Sequence, residues 1–280
     1  HRHRLFATVL PGIRVRRRVG FLVCFSLLAG CGPRELEPDA SYECERCTDW
    51  NQPQDPFRVH GNTWYVGTAG LSAILIETGD GLILVDGGLP QSAPLIYASI
   101  RELGFDPLDI RAILVSHVHY DHAGGVNALQ RLSRATVYTS ENGVTPLTTG
   151  QLQEGDPQYI AGSDQGSFPA VSKVVGVGDG ESISLGEVAV KAVYTPGHTR
   201  NSVTWTWESC ALGSCYDVVY ADSMTAVSAQ GFSFGASGAG TTMIESAGRV
   251  ADLDCDILLS PHPFFFGMQD KLERIDEGNP

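Results

Sequence analysis

A chain of 280 residues with 42% hydrophobic and 18% charged residues can bury one large core or two packed halves, and its composition is not that of a disordered protein. Nineteen Lys and Arg against 32 Asp and Glu give a formal net charge of −13, which argues against a nucleic-acid partner. A small anionic substrate remains compatible with this acidity where a metal centre outweighs its surroundings locally.

The first thirty residues differ in kind. Arg14, Arg16, Arg17 and Arg18 precede an apolar run, 19–29. At about a dozen residues it is too short to span a bilayer as a helix and suits a secretion signal. Leu28, Ala29, Gly30 and Cys31 follow and resemble the bacterial lipobox, in which the signal is cut before a cysteine that then carries lipid. The expectation is a lipoprotein-type signal over 1–30, lipidation at Cys31, a flexible tether over 31–42 and one domain over 43–280. That implies export to the periplasm with a lipid anchor in the outer membrane. The opening His-Arg-His-Arg is left out of the fold. Without the leader's six arginines, 13 basic residues face 32 acids, a net charge of −19.

From Thr63 short apolar runs alternate with amphipathic stretches. Residues 63–66, 71–77 and 82–86 read as strands separated by glycine turns. Over 92–103, Leu95, Ile96, Ser99, Ile100 and Leu103 fall near helical spacing, and the pattern stops at Gly104. The run 112–115 reads as a buried strand, 124–133 as a second helix and 136–139 as a further strand. Residues 152–169 are rich in Gly, Asp, Gln and Ser and read as a long loop between two halves, at the mouth of a site. Strands resume over 171–175, 187–194, 202–208 and 216–220. A small-residue loop then spans 228–240 and a helix 241–253.

The chemistry concentrates just after the strand 112–115, where Ser116 to Gly125 holds His117, His119, Asp121 and His122. Imidazole nitrogen and carboxylate oxygen are donors that zinc takes at roughly 2.0–2.2 Å. Burying several such groups without partners would be costly, which favours metal over structure. The chain has eight histidines. His1 and His3 lie in the leader, and His60 stands alone and reads as an ordinary hydrogen-bonded ring. His198 follows the strand-like 188–194, and His262 follows the apolar run 257–259. Two imidazoles from distant strand ends complete two sets of three ligands with open positions, as in catalytic rather than structural zinc. The assignment is His117, His119 and His198 for one Zn2+ and Asp121, His122 and His262 for a second. Solvent between two such ions loses its proton near neutral pH, and Asp121 would orient it as the catalytic carboxylate. Asp86, at the end of its strand, reads either as an orienter of a ligand ring or as a turn cap.

Seven cysteines need sorting in a chain whose export permits disulfides. Cys24 leaves with the signal and Cys31 is used by lipid. Cys210 and Cys215 flank a hairpin tip, Cys44 and Cys47 pair with each other or elsewhere, and Cys255 is left over. A single Cys-x-x-Cys is too little for a structural zinc site.

The pattern His-x-His-x-Asp-His with separate Gly-His and Pro-His loops resembles the metallo-β-lactamase superfamily, and specifically its class B β-lactamases of the third subclass. The resemblance runs from about Cys44 onward. It rests on Trp50-Asn51, Pro56-Phe57, Gly61-Asn62-Thr63, Val66-Gly67-Thr68, the stretch from Val85 through Asp86, Gly87, Gly88 and Leu89 to Pro90, Thr195 to Thr199, Ala221-Asp222-Ser223 and Ser260 to Pro263. It implies a four-layer αββα sandwich of α/β class with two zinc ions, hydrolysing the amide of penicillins, cephalosporins or carbapenems and so conferring resistance. It also implies that Ser223, and with less weight Thr225, bind the substrate carboxylate. Where the family commonly has Pro-Gly-Gly after the Gly-His loop, this chain has Arg200, Asn201 and Ser202, which puts substrate preference in question. The chain reads as C-terminally truncated, and a monomer acting on a small molecule is expected. Acyl-homoserine lactonases and glyoxalase-type thioesterases share the ligand cluster but add an aspartate that bridges the metals. Neighbours on a strand point to opposite faces, so whether Asp222 or Ser223 faces the ions separates the readings.

Overall fold

A computed structural model describes residues 34–278, and from Glu35 onward the chain forms one unit built on two sheets. The first sheet has seven strands in chain order: β1 (Phe57–His60), β2 (Thr63–Tyr65), β3 (Ile74–Glu77), β4 (Leu82–Val85), β5 (Ile110–Leu114), β6 (Thr136–Ser140) and β7 (Val174–Val177). β1 to β4 are antiparallel, and β4 to β7 are parallel. The parallel pairs need crossovers, which the helices Ala93–Glu102 and Val126–Ser133 supply. The second sheet comprises β8 (Ser182–Leu185), β9 (Val188–Tyr194), β10 (Val203–Ala211), β11 (Ser214–Tyr220) and β12 (Ile257–Leu259), in the order β12-β11-β10-β9-β8.

The period of two along the central strands explains the layering. Ile74, Ile76, Ile83, Val85, Ala112 and Leu114 point to one face and pack against Val190, Ala192, Val203, Trp205, Val218 and Tyr220 of the second sheet. Their alternates Leu75, Leu84 and Ile113 point to the other face and meet Ile96, Ile100 and Leu129 of the crossover helices. Strands buried on both faces cannot alternate with polar residues, which is why these runs are wholly apolar. β9 covers a single face and alternates buried Val188, Val190 and Ala192 with exposed Ala189 and Lys191. The helix Ala239–Ala251 docks outside the second sheet, Ser246 Oγ donating to the Pro196 carbonyl at 2.6 Å. The result is the expected αββα sandwich.

Several details depart from the sequence reading. β1, the hairpin partner β8 and the helix Val144–Thr149 carry no clear periodic signal, and the last helix, Met268–Asp276, with Met268, Leu272 and Ile275 at helical spacing, is an addition to the sequence reading. The expected helix over 124–133 is Val126–Ser133, and a further short helix, Tyr120–Ala123, lies inside the histidine motif. The stretch read as a flexible tether is held down over 36–42. Leu36 packs on the core, Asp39 pairs with Arg131 at 2.7 Å, and Tyr42 stacks on Tyr120 at 4.2 Å between centroids. Disulfides join Cys44 to Cys47 and Cys210 to Cys215, and Cys255 is free and exposed. The signal segment and Cys31 lie outside the described residues. Among the described residues no helix is long and apolar enough to cross a membrane.

Candidate metal centre

The five loop histidines and Asp121 meet at one end of the two sheets, each delivered by the end of a strand. The turn after β5 starts with Ser116, whose N–H and Oγ both donate to the Asp86 carboxylate, at 2.8 and 2.7 Å. Asp86 holds a left-handed φ of 61° and also accepts from Tyr220 Oη at 2.8 Å, so one buried side chain ties the ends of β4, β5 and β11 together. Asn201 Oδ1 accepts from the Val118 N–H at 2.7 Å, fixing the backbone between His117 and His119. His198 arrives after β9 and His262 after β12, where the Pro261 carbonyl accepts from the Ser72 N–H at 2.8 Å.

His117, His119 and His198 offer donor atoms within 4.8 Å of one another, all on buried residues, and their rings stand roughly perpendicular. In each ring one nitrogen has an outer partner. His117 Nδ1 meets Asp222 Oδ1 at 2.7 Å, His198 Nδ1 meets the Thr225 carbonyl at 2.8 Å, and His119 Nε2 meets Asp156 Oδ1 at 3.2 Å. The other nitrogen of His117 and of His198 is left for a common centre, whereas His119 Nδ1 is reached by Gln158 Nε2 at 3.3 Å. Beside them, Asp121 Oδ2 lies 3.4 Å from His122 Nε2 and 3.5 Å from His262 Nε2. A tetrahedral ion with bonds of about 2.1 Å sets its ligand atoms about 3.4 Å apart, which is the separation of this carboxylate from each of the two rings; Asp121 and His122 also gather with His117, their donor atoms all within 4.8 Å of one another. His262 Nδ1 faces the Gly70 carbonyl at 3.3 Å, turning Nε2 inward.

The donor chemistry also fits a metal. His117 Nε2 and both nitrogens of His122 are buried without hydrogen-bond partners. Orphaned buried polar atoms in such number are costly unless an ion engages them. Burial, reinforced by neighbouring His122 and His119, drives the His117 pKa well below its ordinary value. Burial likewise pushes His198 down to about 3. Neutral imidazole is the ligating form. For His122 burial works in the same direction, but the Asp121 carboxylate outweighs it and the pKa is raised. Asp121 itself, despite burial, is held well below the usual carboxylate range by His122 and His262. Burial raises Asp86 to about 6, against the pull of His122.

The family model of the metallo-β-lactamase superfamily matches residues 67–262, which include all six of these groups. The chain belongs to the metallo-β-lactamase superfamily. It is similar to MEM-A1, a subclass B3 metallo-β-lactamase from a soil metagenome library, at 46% identity and a TM-score of 0.78 over 82% of this chain and 88% of that one. The Rm3 metallo-β-lactamase is 42% identical with a TM-score of 0.80, over 85% of this chain and 89% of that one. These neighbours place it with subclass B3. A more distant curated relative is the probable metallo-hydrolase YqgX of Bacillus subtilis (strain 168), 27% identical over 55% of this chain and 69% of that protein. The chain spans about a third of the length of the next curated relatives.

In this metallo-β-lactamase domain the six predicted ligands converge, and the remaining assignments sort as follows. Ser223 Oγ is buried without a hydrogen-bond partner, whereas the Thr225 carbonyl and hydroxyl are turned to His198 Nδ1, at 2.8 and 3.2 Å. Asp86 caps the turn that opens the histidine loop, accepting from the Ser116 N–H, and at 4.0 Å from His122 Nδ1 it makes no hydrogen bond to a ligand ring. His60 stacks on Tyr216, 4.5 Å between centroids, away from the cluster. Sequence reasoning missed Asp156, Gln158 and Asn201. Asp156 braces His119, while Gln158 Nε2 reaches its Nδ1 at 3.3 Å. No local pattern separates Asp156 from Asp164 in the same loop. Asn201 stood out solely as a departure from the family's Pro-Gly-Gly.

Proposed function

We propose that this protein hydrolyses the β-lactam amide bond of penicillins, cephalosporins or carbapenems with two zinc ions per chain, and thereby confers antibiotic resistance. The observation that carries the reading is the set His117/His119/His198 beside the Asp121 carboxylate, which His122 and His262 approach at 3.4 and 3.5 Å, in a fold shared with subclass B3 enzymes. Zinc bound there would supply hydroxide at neutral pH and polarise the lactam carbonyl. Asp121, as a carboxylate, accepts a hydrogen bond from the attacking water and sets its direction. Ser223, with its unpaired hydroxyl, donates to the substrate carboxylate. Thr225 contributes by holding His198, and its threonine hydroxyl lies beside that ring for a second polar contact to substrate.

Acyl-homoserine lactonase or glyoxalase-type thioesterase chemistry is the second reading, and Asp222 weighs against it. Its Oδ1 is engaged by the outer nitrogen of His117 at 2.7 Å. That is the place of an orienting carboxylate rather than a bridging one. The arginine-rich leader and Cys31 support export to the periplasm with a lipid anchor on a monomeric domain.

The deciding experiment assays zinc-loaded protein against benzylpenicillin, a carbapenem and an acyl-homoserine lactone, with metal analysis. We expect about two zinc per chain, ring opening of the lactams, loss of activity on chelation and its return with zinc. Asp121→Ala should lower kcat at least about a hundredfold with the fold intact by circular dichroism. Faster turnover of the lactone than of either lactam would reverse the assignment.

A further inference from the structure

We propose that Arg200 is a specificity-determining residue that binds a carboxylate on the acyl side chain of the substrate, so that the enzyme prefers β-lactams carrying a second negative charge; this rests on the β-lactamase reading above.

Arg200 stands two residues after His198 on a turn whose backbone is tied down. The Gly197 N–H donates to the Thr199 carbonyl at 2.9 Å, the Asn201 N–H donates to Thr199 Oγ1 at 3.1 Å, and the Arg200 carbonyl accepts from Asn142 Nδ2 at 3.3 Å. The side chain crosses the facing loop at Gly155. A Cβ built there would lie 2.6 Å from the guanidinium carbon, so the flat cation rests directly against the backbone of the facing loop. Among the described residues the guanidinium has neither an ion pair nor a hydrogen bond. That leaves its planar fork of donors free for an anion.

The guanidinium borders a cavity of about 330 Å³ lined by Pro157, Gly197, Thr199, Phe232, Gly238 and Thr242 among others, with no acidic residue in its wall. Gly197 and Thr199 bracket His198 in the chain, and Pro157 adjoins Asp156, the brace of His119, so the wall of the cavity is built from the chain neighbours of the ligand cluster. The thirteen-residue helix Ala239–Ala251 begins at this wall, adding the positive end of its dipole to the cation. On the other side of Arg200 a smaller cavity of about 170 Å³ carries Glu154 and Asp156, which repel an anion and leave the first cavity as its seat. Guanidinium matches carboxylate in a planar, two-bonded geometry that lysine or glutamine does not reproduce. With Ser223 assigned to the carboxylate common to all β-lactams, Arg200 takes the side-chain carboxylate that only some carry.

The test compares benzylpenicillin with its α-carboxylated counterpart, which differs by that one group, on zinc-loaded protein. Arg200→Gln should shift the ratio of their KM values about tenfold against the carboxylated substrate with the ratio of kcat values unmoved, and Arg200→Lys should recover part of the shift. Raising salt should shrink the preference of the unsubstituted protein and leave the Gln variant flat. Calorimetric binding of the two penicillins gives the same comparison without turnover: failure to hydrolyse either would sink the β-lactamase reading while binding still reported on Arg200. An unchanged KM ratio and an unchanged binding ratio in Arg200→Gln would overturn the proposal.

Discussion

His117 presents two nitrogens, and the fate of each is set by one neighbour. Asp222 takes Nδ1 at 2.7 Å, which fixes the tautomer and turns the buried, unpartnered Nε2 toward the centre. Burial raises the Asp222 pKa, so keeping it ionised is costly, and His198, the Ser202 hydroxyl and the Ser223 backbone offset part of that cost. Asp222→Asn keeps the size and an acceptor but removes the charge that makes the imidazole a stronger donor to an ion. Zinc affinity should fall about 10- to 100-fold in a competitive chelator titration. The melting temperature of the metal-free protein should move by no more than a few degrees, since a costly buried charge is lost along with its hydrogen bond. Unchanged zinc affinity would show that Asp222 is a bystander. The same reasoning explains why the ligands were legible and their braces were not. Five of eight histidines in strand-end loops leave a mark on the sequence. A single aspartate such as Asp156, reaching His119 from 37 positions away, leaves none.

Between the residues and the sheets lies a glycine joint. β4 ends in Asp86-Gly87-Gly88, and the histidine motif ends in Gly124-Gly125, and these two pairs pack backbone to backbone. The Gly87 N–H donates to the His122 carbonyl at 2.8 Å and the Gly125 N–H to the Gly88 carbonyl at 3.1 Å. A Cβ on Gly125 would fall 2.2 Å from the Gly87 carbonyl oxygen, which neither backbone can relieve without moving the turn that carries Asp121 and His122. Gly125→Ala should therefore cost about 1–3 kcal/mol of stability, the usual range for overpacking, and weaken metal binding at the Asp121 side. Thermal melting together with zinc titration reads both effects, and retention of both would refute the joint. In the sequence these glycines looked like turn and helix punctuation. Their mutual contact needed the parallel pairing of β4 with β5. Element by element, the apolar runs 82–86 and 112–115 declared themselves because burial on two faces demands unbroken hydrophobicity. Phe57–His60, an edge strand with one exposed residue and three half-buried ones, has no alternation to read. The four-residue helix at Tyr120–Ala123 is hidden because ligand identity, not helical spacing, chose its residues.

Across the whole molecule each candidate zinc site draws ligands from both sheets: His117 and His119 follow β5, and His198 follows β9. Asp121 and His122 likewise follow β5, while His262 follows β12. Ions there would staple the sandwich shut. At free zinc a thousandfold above Kd each ion adds about 4 kcal/mol, worth roughly 10 °C in melting temperature for a domain of this size. The two sites should nevertheless answer differently to acid. His117 and His198 have pKa values depressed by burial, His198 to about 3, so at neutral pH they are already neutral and zinc displaces no proton from them. At the other site burial opposes protonation of His122, but Asp121 raises its pKa above the ordinary value of 6.5, so the metal-free ring carries a proton at mildly acidic pH that zinc must expel. The sign follows directly. As pH falls through that raised pKa, binding by Asp121, His122 and His262 loses up to about tenfold in affinity per pH unit from His122 alone. His198 contributes no such loss until pH nears 3, and His117, held well below its ordinary value by burial, contributes none in mild acid. Calorimetric zinc titrations at pH 6.5 in two buffers of different ionisation enthalpy count the protons released. The weaker ion should release about one more than the tighter ion, and mild acid should strip it first. Equal proton counts for both ions would mean that the Asp121–His122 pair does not hold the proton assigned to it.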